Sequence, residues 1–535
     1  MTTTLNTRPV RGAGRATSTS AARRAAMLAL ARVEAARSLR HPVTVAAVLI
    51  FLGPWLYGWL AGTANRYPVL QDEDRSVQLL AVLVLGGAAL VIGNFAVLRP
   101  RRHNTAALYD TLVLPPAWRT AAHLLACAAF GLFSAVLVAV RLTVTAVLPG
   151  AAGRLDPDEL LTVPVAVVLL GAVGVLLARL VGSVVVAPLA VLVLAVASLA
   201  PDLAGTSERN PLRWLPPVAV AQRSIALPVD LVARPAGAHL VYLTGLLTLV
   251  AVAAMVRAGA GRRAVTAGLL GLALLVGGGA LQSRPVPDEV RAARVVAVED
   301  PADQQTCRVR DGVTYCAFPD FVPWIDSWDE VLRGVLRRVP EAPANPPLAV
   351  RQRMWLTEIP AGGLLTTAEE QQARADSWRR ADVEAGTPST ISVGTRWGDG
   401  QAEAGFAGLV AYEILTRAGA GSHGSLCGSR AVLVAWLAGQ ATPETAAGLR
   451  LADEKSWGGV RFGELSFGSG VGVPDREMTV AWELLRRPAD EVAALVRRDW
   501  AELAAKDTPT ERVGEIFGVP VPPELPEHER SVCSA

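Results

Sequence analysis

The chain has 535 residues, of which 51% are hydrophobic and only 19% charged, with a formal net charge of +3. That charge is too small to point to nucleic acid, and the apolar residues crowd between Val43 and Leu281 while the second half has ordinary globular composition. Two parts of similar length follow, a membrane domain and a soluble domain. Lysine occurs only at 455 and 506, an arginine bias typical of a GC-rich bacterial genome.

Residues 1–18 are rich in Thr, Arg, Gly and Ser and are expected to be disordered. In Ser20–Arg40, Met27, Leu28, Leu30, Val33 and Leu39 alternate at helical spacing with Arg23, Arg24, Arg32, Glu34, Arg37 and Arg40. This predicts a helix in the membrane interface with its arginines toward anionic head groups (domain boundaries 19–42). A span needs about 20 apolar residues. Runs that supply them are read at Val43–Gly62, Val77–Leu98 and Ala121–Leu148, with two more in Leu160–Ala200 broken near Arg179–Gly182. Two further runs are read at His239–Val256 and Ala264–Leu281. Trp55, Tyr57 and Trp59 form an aromatic belt toward the outer half of the first. Asn94 and Arg141 are the polar residues of note within spans, and each either lines a pathway or caps and snorkels. The segment 201–237, with Pro211, Trp214, Pro216 and Pro217, is expected to dip into the outer leaflet.

Between the second and third spans lies RPRRHNTAALYDTLVLPPAWRT, Arg99–Thr120, with four Arg against Asp110. Thr105–Leu114 is expected to form a short helix stopped by Pro115-Pro116. The N-terminal segment carries eight Arg and one Glu, and residues 257–263 carry three Arg and no acid. The excess of arginine on these segments places the N-terminus in the cytoplasm and, after seven spans, residues 283–535 outside.

The soluble half supports that sidedness. Thr306–Cys316 reads TCRVRDGVTYC, in which Asp311-Gly312 is a hairpin turn. Counting outward pairs Arg310 with Val313 and Cys307 with Cys316, the latter at a non-hydrogen-bonded position. Cα atoms there lie about 4.5–5.5 Å apart, within disulfide range, and a disulfide implies an oxidising compartment. Cys427 and Cys533 remain for a second bridge, and nothing in the sequence positions them. Helices are expected over Phe321–Arg338, from Thr366 or Thr367 to Val383, and over Ala404–Ala418, Ser429–Leu437, Met478–Arg487 and Asp490–Lys506. The fold class is thus an α-helical polytopic membrane domain of six or seven helices (43–282) plus a mainly helical α+β extracytoplasmic domain (283–535).

No GxxxxGK[ST] motif occurs, so the chain is not a P-loop ATPase. No catalytic, cofactor-binding or metal constellation is read: Tyr412–Thr416 holds Glu413 but neither imidazole of a zinc-peptidase motif. A Gly/Ser-rich loop explains His423, Ser425 and Cys427 better than a nucleophile cluster does.

The interfacial helix, a first span following His41-Pro42-Val43, the loop just quoted, the close fourth and fifth spans and the Pro-rich outer stretch together resemble the permease subunit of a type-2 ABC exporter over about residues 20–260. The resemblance implies an integral permease of the bacterial plasma membrane, driven by a separate ATPase subunit that uses ATP, and assembled as a dimer of permeases. It also implies that the coupling element contacting the ATPase is the loop bearing Arg101, Arg102, Tyr109, Leu112, Leu114, Pro115, Pro116, Trp118 and Arg119. Two features depart from the family: a seventh span, and the large outer domain. A membrane-anchored extracytoplasmic binding or sensing protein is the alternative.

Overall fold

The computed structural model describes residues 18–105, 107, 114–203, 214–217, 226–340, 347–354, 368–417, 423–456, 458–463 and 470–524. The chain opens with helix α1, Ser18–Leu39. His41 then caps α2, Pro42–Leu60, its Nδ1 accepting from the Val43 N–H at 3.2 Å. Helix α3 runs over Leu70–Arg102, with a π-helical turn at Val82–Gly86. It is followed by α4 (Pro116–Ala146), α5 (Pro157–Leu180), α6 (Val186–Leu203), α7 (Ala236–Arg257) and α8 (Arg262–Gln282). Six of these, α2, α3, α4, α5, α7 and α8, are long and apolar enough to cross a membrane. They carry exposed Leu49, Ile50, Leu132, Leu161, Leu269 and Val276, which is consistent with a multi-pass membrane bundle.

α5 and α7 run in the same direction. Leu243 of α7 packs with Leu169 and Leu170 of α5, and Ala254 packs further along with Val175. α5 ends beside Arg101, because a Cβ at Gly182 would lie 2.6 Å from that guanidinium. Residues 226–231 are at the opposite end, where Gln71 donates to the Leu227 carbonyl at 2.5 Å. The chain therefore returns between 182 and 226, and α6, 18 residues or about 27 Å long, makes that traverse.

The spans differ from the sequence reading at their ends. The second begins at Leu70 rather than Val77, so Asp72 and Glu73 sit in a first helical turn, not in a loop. Carboxylates are favoured there by the helix dipole. The same helix continues through Pro100, making Arg99, Arg101 and Arg102 its last turn, where cations are favoured. Pro116 takes the first position of α4, where a missing N–H costs nothing, and the short helix expected before it lies mostly outside the described residues. α3 and α5 meet backbone to backbone: a Cβ at Gly174 would lie 2.0 Å from the Leu90 carbonyl oxygen, and one at Gly93 would lie 2.7 Å from that of Gly171. Only hydrogen fits at either position.

After α9 (Asp288–Glu299) comes the hairpin of β1 (Thr306–Arg310) and β2 (Val313–Ala317). Its register is Arg310 with Val313 and Cys307 with Cys316, and these cysteines are disulfide-bonded with Cα atoms 4.1 Å apart. The turn places Asp311 at φ 43° and Gly312 at φ 82°, the left-handed pair that a tight hairpin requires. α10 (Ile325–Leu336) leads to β3 (Leu348–Gln352), α11 (Ala368–Glu384) and β4 (Ser389–Val393). Strand order is β1-β2-β3-β4, antiparallel then parallel twice. Next come α12 (Gln401–Thr416), β5 (His423–Ser425), α13 (Gly428–Gly439) and α14 (Pro443–Glu454). They are followed by β6 (Val460–Phe462), β7 (Gly470–Val473), α15 (Asp475–Leu485), α16 (Ala489–Arg498), α17 (Trp500–Leu503) and α18 (Thr510–Phe517). α13, fully buried from Ala431 to Ala438, is the axis of this core.

The core does not stop at the domain boundary. Val69, Ala152, Ala226, Leu227 and Leu231 from the bundle's connecting segments belong to the same buried cluster as Phe318, Phe321 and Trp324. The Trp324 indole donates to the Gly150 carbonyl at 2.8 Å, Asp320 accepts from the Val229 N–H at 2.7 Å, and Arg294 donates to the Leu231 carbonyl at 2.9 Å. The C-terminal domain is thus seated on one end of the bundle.

Candidate functional site

The bundle has two polar ends. At the end away from the C-terminal domain, Glu34 of α1 is buried (3% exposed) and accepts from Arg99 Nη1 at 2.6 and 2.9 Å, with Arg37 at 3.3 Å. This pairing clips α1 to the end of α3. Asn104, at φ 55°, turns the chain out of α3 while the Thr105 N–H reaches the Pro100 carbonyl at 2.8 Å, a left-handed helix stop. Trp118 and Arg119 lie in the first turn of α4, their N–H groups reaching the Pro115 carbonyl. Of the residues singled out for a coupling loop, Arg101, Arg102, Leu114, Pro115, Pro116, Trp118 and Arg119 therefore cluster where α3 ends and α4 begins. Tyr109 and Leu112, and most of the expected short helix, lie outside the described residues.

Beside this junction is a cleft of about 470 Å³ lined by Arg37, Arg40, His41, Phe95, Arg99 and Arg102. The Arg102 guanidinium stacks over Phe95 at 5.1 Å from the ring centroid. The His41 imidazole is held below its ordinary pKa by burial first and then by Arg99 and Arg102. A neutral ring is what its role as acceptor for Val43 requires.

At the domain end, sequence reasoning missed a buried polar cluster. The Gln78 amide donates to Asp74 at 3.0 Å and to Glu159 at 2.8 Å, and Glu159 pairs with Arg234 at 3.1 Å. Asp74, Gln78 and Glu159 are all buried, and one Asp74 oxygen has no partner. The signal was present: 71, 74 and 78 share one helix face. A helix read from Val77 onward hides that face, because it leaves 71 and 74 outside the helix.

Within the C-terminal domain, Arg351 and Arg353 converge on Asp382 at 3.0 and 2.6 Å, all three buried, with Arg353 over the Trp378 ring at 5.2 Å. Burial draws the Arg353 pKa down to about 10, leaving it charged at neutral pH. This is a structural knot. Cys427 is disulfide-bonded to a partner outside the described residues, which removes any thiol from the His423–Ser425–Cys427 group. Cys127 is free and buried. Among the described residues, no group of three or more His, Cys, Asp or Glu side chains is placed to hold a metal ion. A second cleft, about 360 Å³, lies among Arg337, Arg338, Thr442, Arg450 and Trp482.

Comparison with protein-family models, with curated proteins and with solved structures finds no match for this chain.

Proposed function

We propose that this chain is the membrane-spanning permease subunit of an ABC-type exporter, worked by a separate ATPase that docks at the α3–α4 junction on the cytoplasmic side, with the C-terminal domain outside. The observation that carries this reading is the clip between Glu34 and Arg99. It fixes an amphipathic N-terminal helix to the same helix end from which the basic connection to α4 departs. A push delivered at that connection would reach α1, α3 and α4 together. The chain has no nucleotide-binding motif of the P-loop kind, so the energy source would be a partner. The permease would act as a dimer, in which the exposed apolar faces of the bundle supply the contact. Photo-crosslinking from Trp118 in the native membrane is the test. Adducts with an ATPase subunit support the reading, and their consistent absence from a membrane in which the chain is folded defeats it.

A second reading, a membrane-anchored extracytoplasmic binding or sensing protein, draws on the cleft among Arg337, Arg338 and Arg450. Among the described residues Arg338 is paired there with Asp490, whose side chain is 96% exposed, so the cleft offers guanidinium groups to an anionic ligand. Ligand binding by the purified protein with no ATPase adduct would favour it.

A further inference from the structure

Four guanidinium groups, from Arg37, Arg40, Arg99 and Arg102, surround the cleft between α1, α2 and α3. The described carboxylate that pairs with any of them is Glu34, and it lies buried behind Arg99 and Arg37. Arg40 and Arg102 are exposed, and no described carboxylate forms an ion pair with either. Burial first, and then Arg99 and Arg102, hold the His41 pKa below its ordinary value. Such a cleft attracts an anion with several acceptor oxygens.

The surroundings say which anion. The floor of the cleft is apolar, made by Ile92, Phe95 and Pro42. Directly along α2 from that floor, Val45, Leu49 and Ile50 are exposed at 52%, 66% and 56%. These residues face hydrocarbon if the bundle spans a membrane. A small soluble phosphate would use the arginines and leave the apolar floor and the exposed stripe unused. A phospholipid uses both, with its phosphate among the guanidinium groups and its acyl chains along α2.

We propose that this cleft is a specific site for the phosphate-bearing head group of an anionic phospholipid, which bridges α1 to the ends of α2 and α3. The site rests on the reading of the apolar helices as membrane spans and is independent of any ATPase partner.

The test uses the full chain extracted in a neutral detergent and delipidated. Short-chain phosphatidylglycerol and phosphatidylcholine are titrated in parallel, with bound lipid counted by native mass spectrometry. The expected result is a single phosphatidylglycerol held at least about tenfold tighter than phosphatidylcholine. The double variant R40Q/R102Q should weaken it roughly 10- to 30-fold, while R32Q, on an exposed arginine of α1 outside the cleft, should leave it unchanged. Thermal melting confirms that each variant is folded; should the double variant melt early, R40Q alone is read. Equal affinity for the two lipids overturns the site, as does an equal effect of R32Q. Displacement of the lipid by millimolar inorganic phosphate with equal potency assigns the cleft to a soluble anion and overturns the lipid. Recovery of the chain in the aqueous fraction after alkaline extraction of membranes overturns both the site and the spanning reading.

Discussion

The two ends of the helical bundle are built by opposite means. At the domain end the connecting segments are absorbed into a continuous core: Val69, Ala152 and Leu231 are buried with Trp324, and indole, carboxylate and guanidinium groups satisfy the loop backbone. At the other end α1 is tied to α3 by the Glu34–Arg99 ion pair and to α2 by the Thr44 hydroxyl donating to the Ser38 carbonyl at 2.6 Å, and a cleft of arginines opens beside them. The first end resists relative movement because any shift exposes apolar surface and strands hydrogen bonds at once. The second can change at the cost of a partly solvated ion pair and a hydroxyl–carbonyl bond. Motion imposed on this molecule should therefore be taken up at the arginine end, with the C-terminal domain following the bundle as a rigid cap.

The largest expected effect concerns sidedness. Cysteines placed at Ala21 and Ala385, both exposed, should behave oppositely toward an impermeant maleimide in intact cells, with labelling at 385 only. The native free thiol, Cys127, is buried and should contribute little background. Labelling at 21 but not 385 would exchange the two ends.

Trp324→Ala strikes the fused end. The ring is fully buried and its N–H serves the Gly150 carbonyl. A loss of about 3–5 kcal/mol is expected, read as earlier thermal unfolding and faster proteolytic release of the C-terminal domain. Release at the wild-type rate would mean that the joint is not rigid.

Glu403 tests the cap in isolation. Its carboxyl is pushed up to about 7, chiefly by burial, against an ordinary value of 4.5. The folded state then holds a proton that the unfolded state has already lost, so the contribution is fully present below about pH 4.5 and disappears as pH rises through 7. Between pH 5 and 8 the wild type should lose about 2–3 kcal/mol relative to Glu403→Gln, measured by denaturant midpoints. Parallel pH profiles would refute the shift.

Glu34→Gln probes the loose end and should cost least, about 1–2 kcal/mol, because Arg99 keeps 30% of its side chain in solvent. Its signature is faster proteolysis at α1 with no change in release of the C-terminal domain. Coupled release of both would erase the contrast between the ends.

The hairpin was legible because turn chemistry and strand period act locally: Asp311-Gly312 dictates the register, and the register brings Cys307 to Cys316. The six helices long and apolar enough to cross a membrane were legible because runs of about twenty apolar residues are themselves the signal. β3 and β4 were not. LAVRQ and STISV are buried at every position, yet contain Arg351, Gln352, Ser389, Thr390 and Ser392. Their polar groups are met by distant partners such as Asp382 for Arg351 and the Phe318 N–H for Gln352, and no local pattern announces a partner thirty residues away. The polar cluster at the domain end failed to show for a different reason: with the helix begun at Val77 instead of Leu70, the face shared by 71, 74 and 78 does not appear. The arginine junction was visible as composition, but its clip to Glu34, 65 residues earlier, was not.

The π-helical turn at Val82–Gly86 has a rotational consequence. An extra residue per turn resets the phase of a helix by about 100°. Above it, Gln78 faces Glu159 of α5; below it, a Cβ at Gly86 would strike Leu170 and one at Gly93 the Gly171 carbonyl. In an unbroken α-helix, positions 78 and 86 would point about 80° apart. The widened turn is a phase adaptor that lets one helix present carboxylate chemistry and glycine packing to the same neighbour. Deleting a single residue there would leave Asp74 and Gln78 in place in the sequence but swing them away from Glu159.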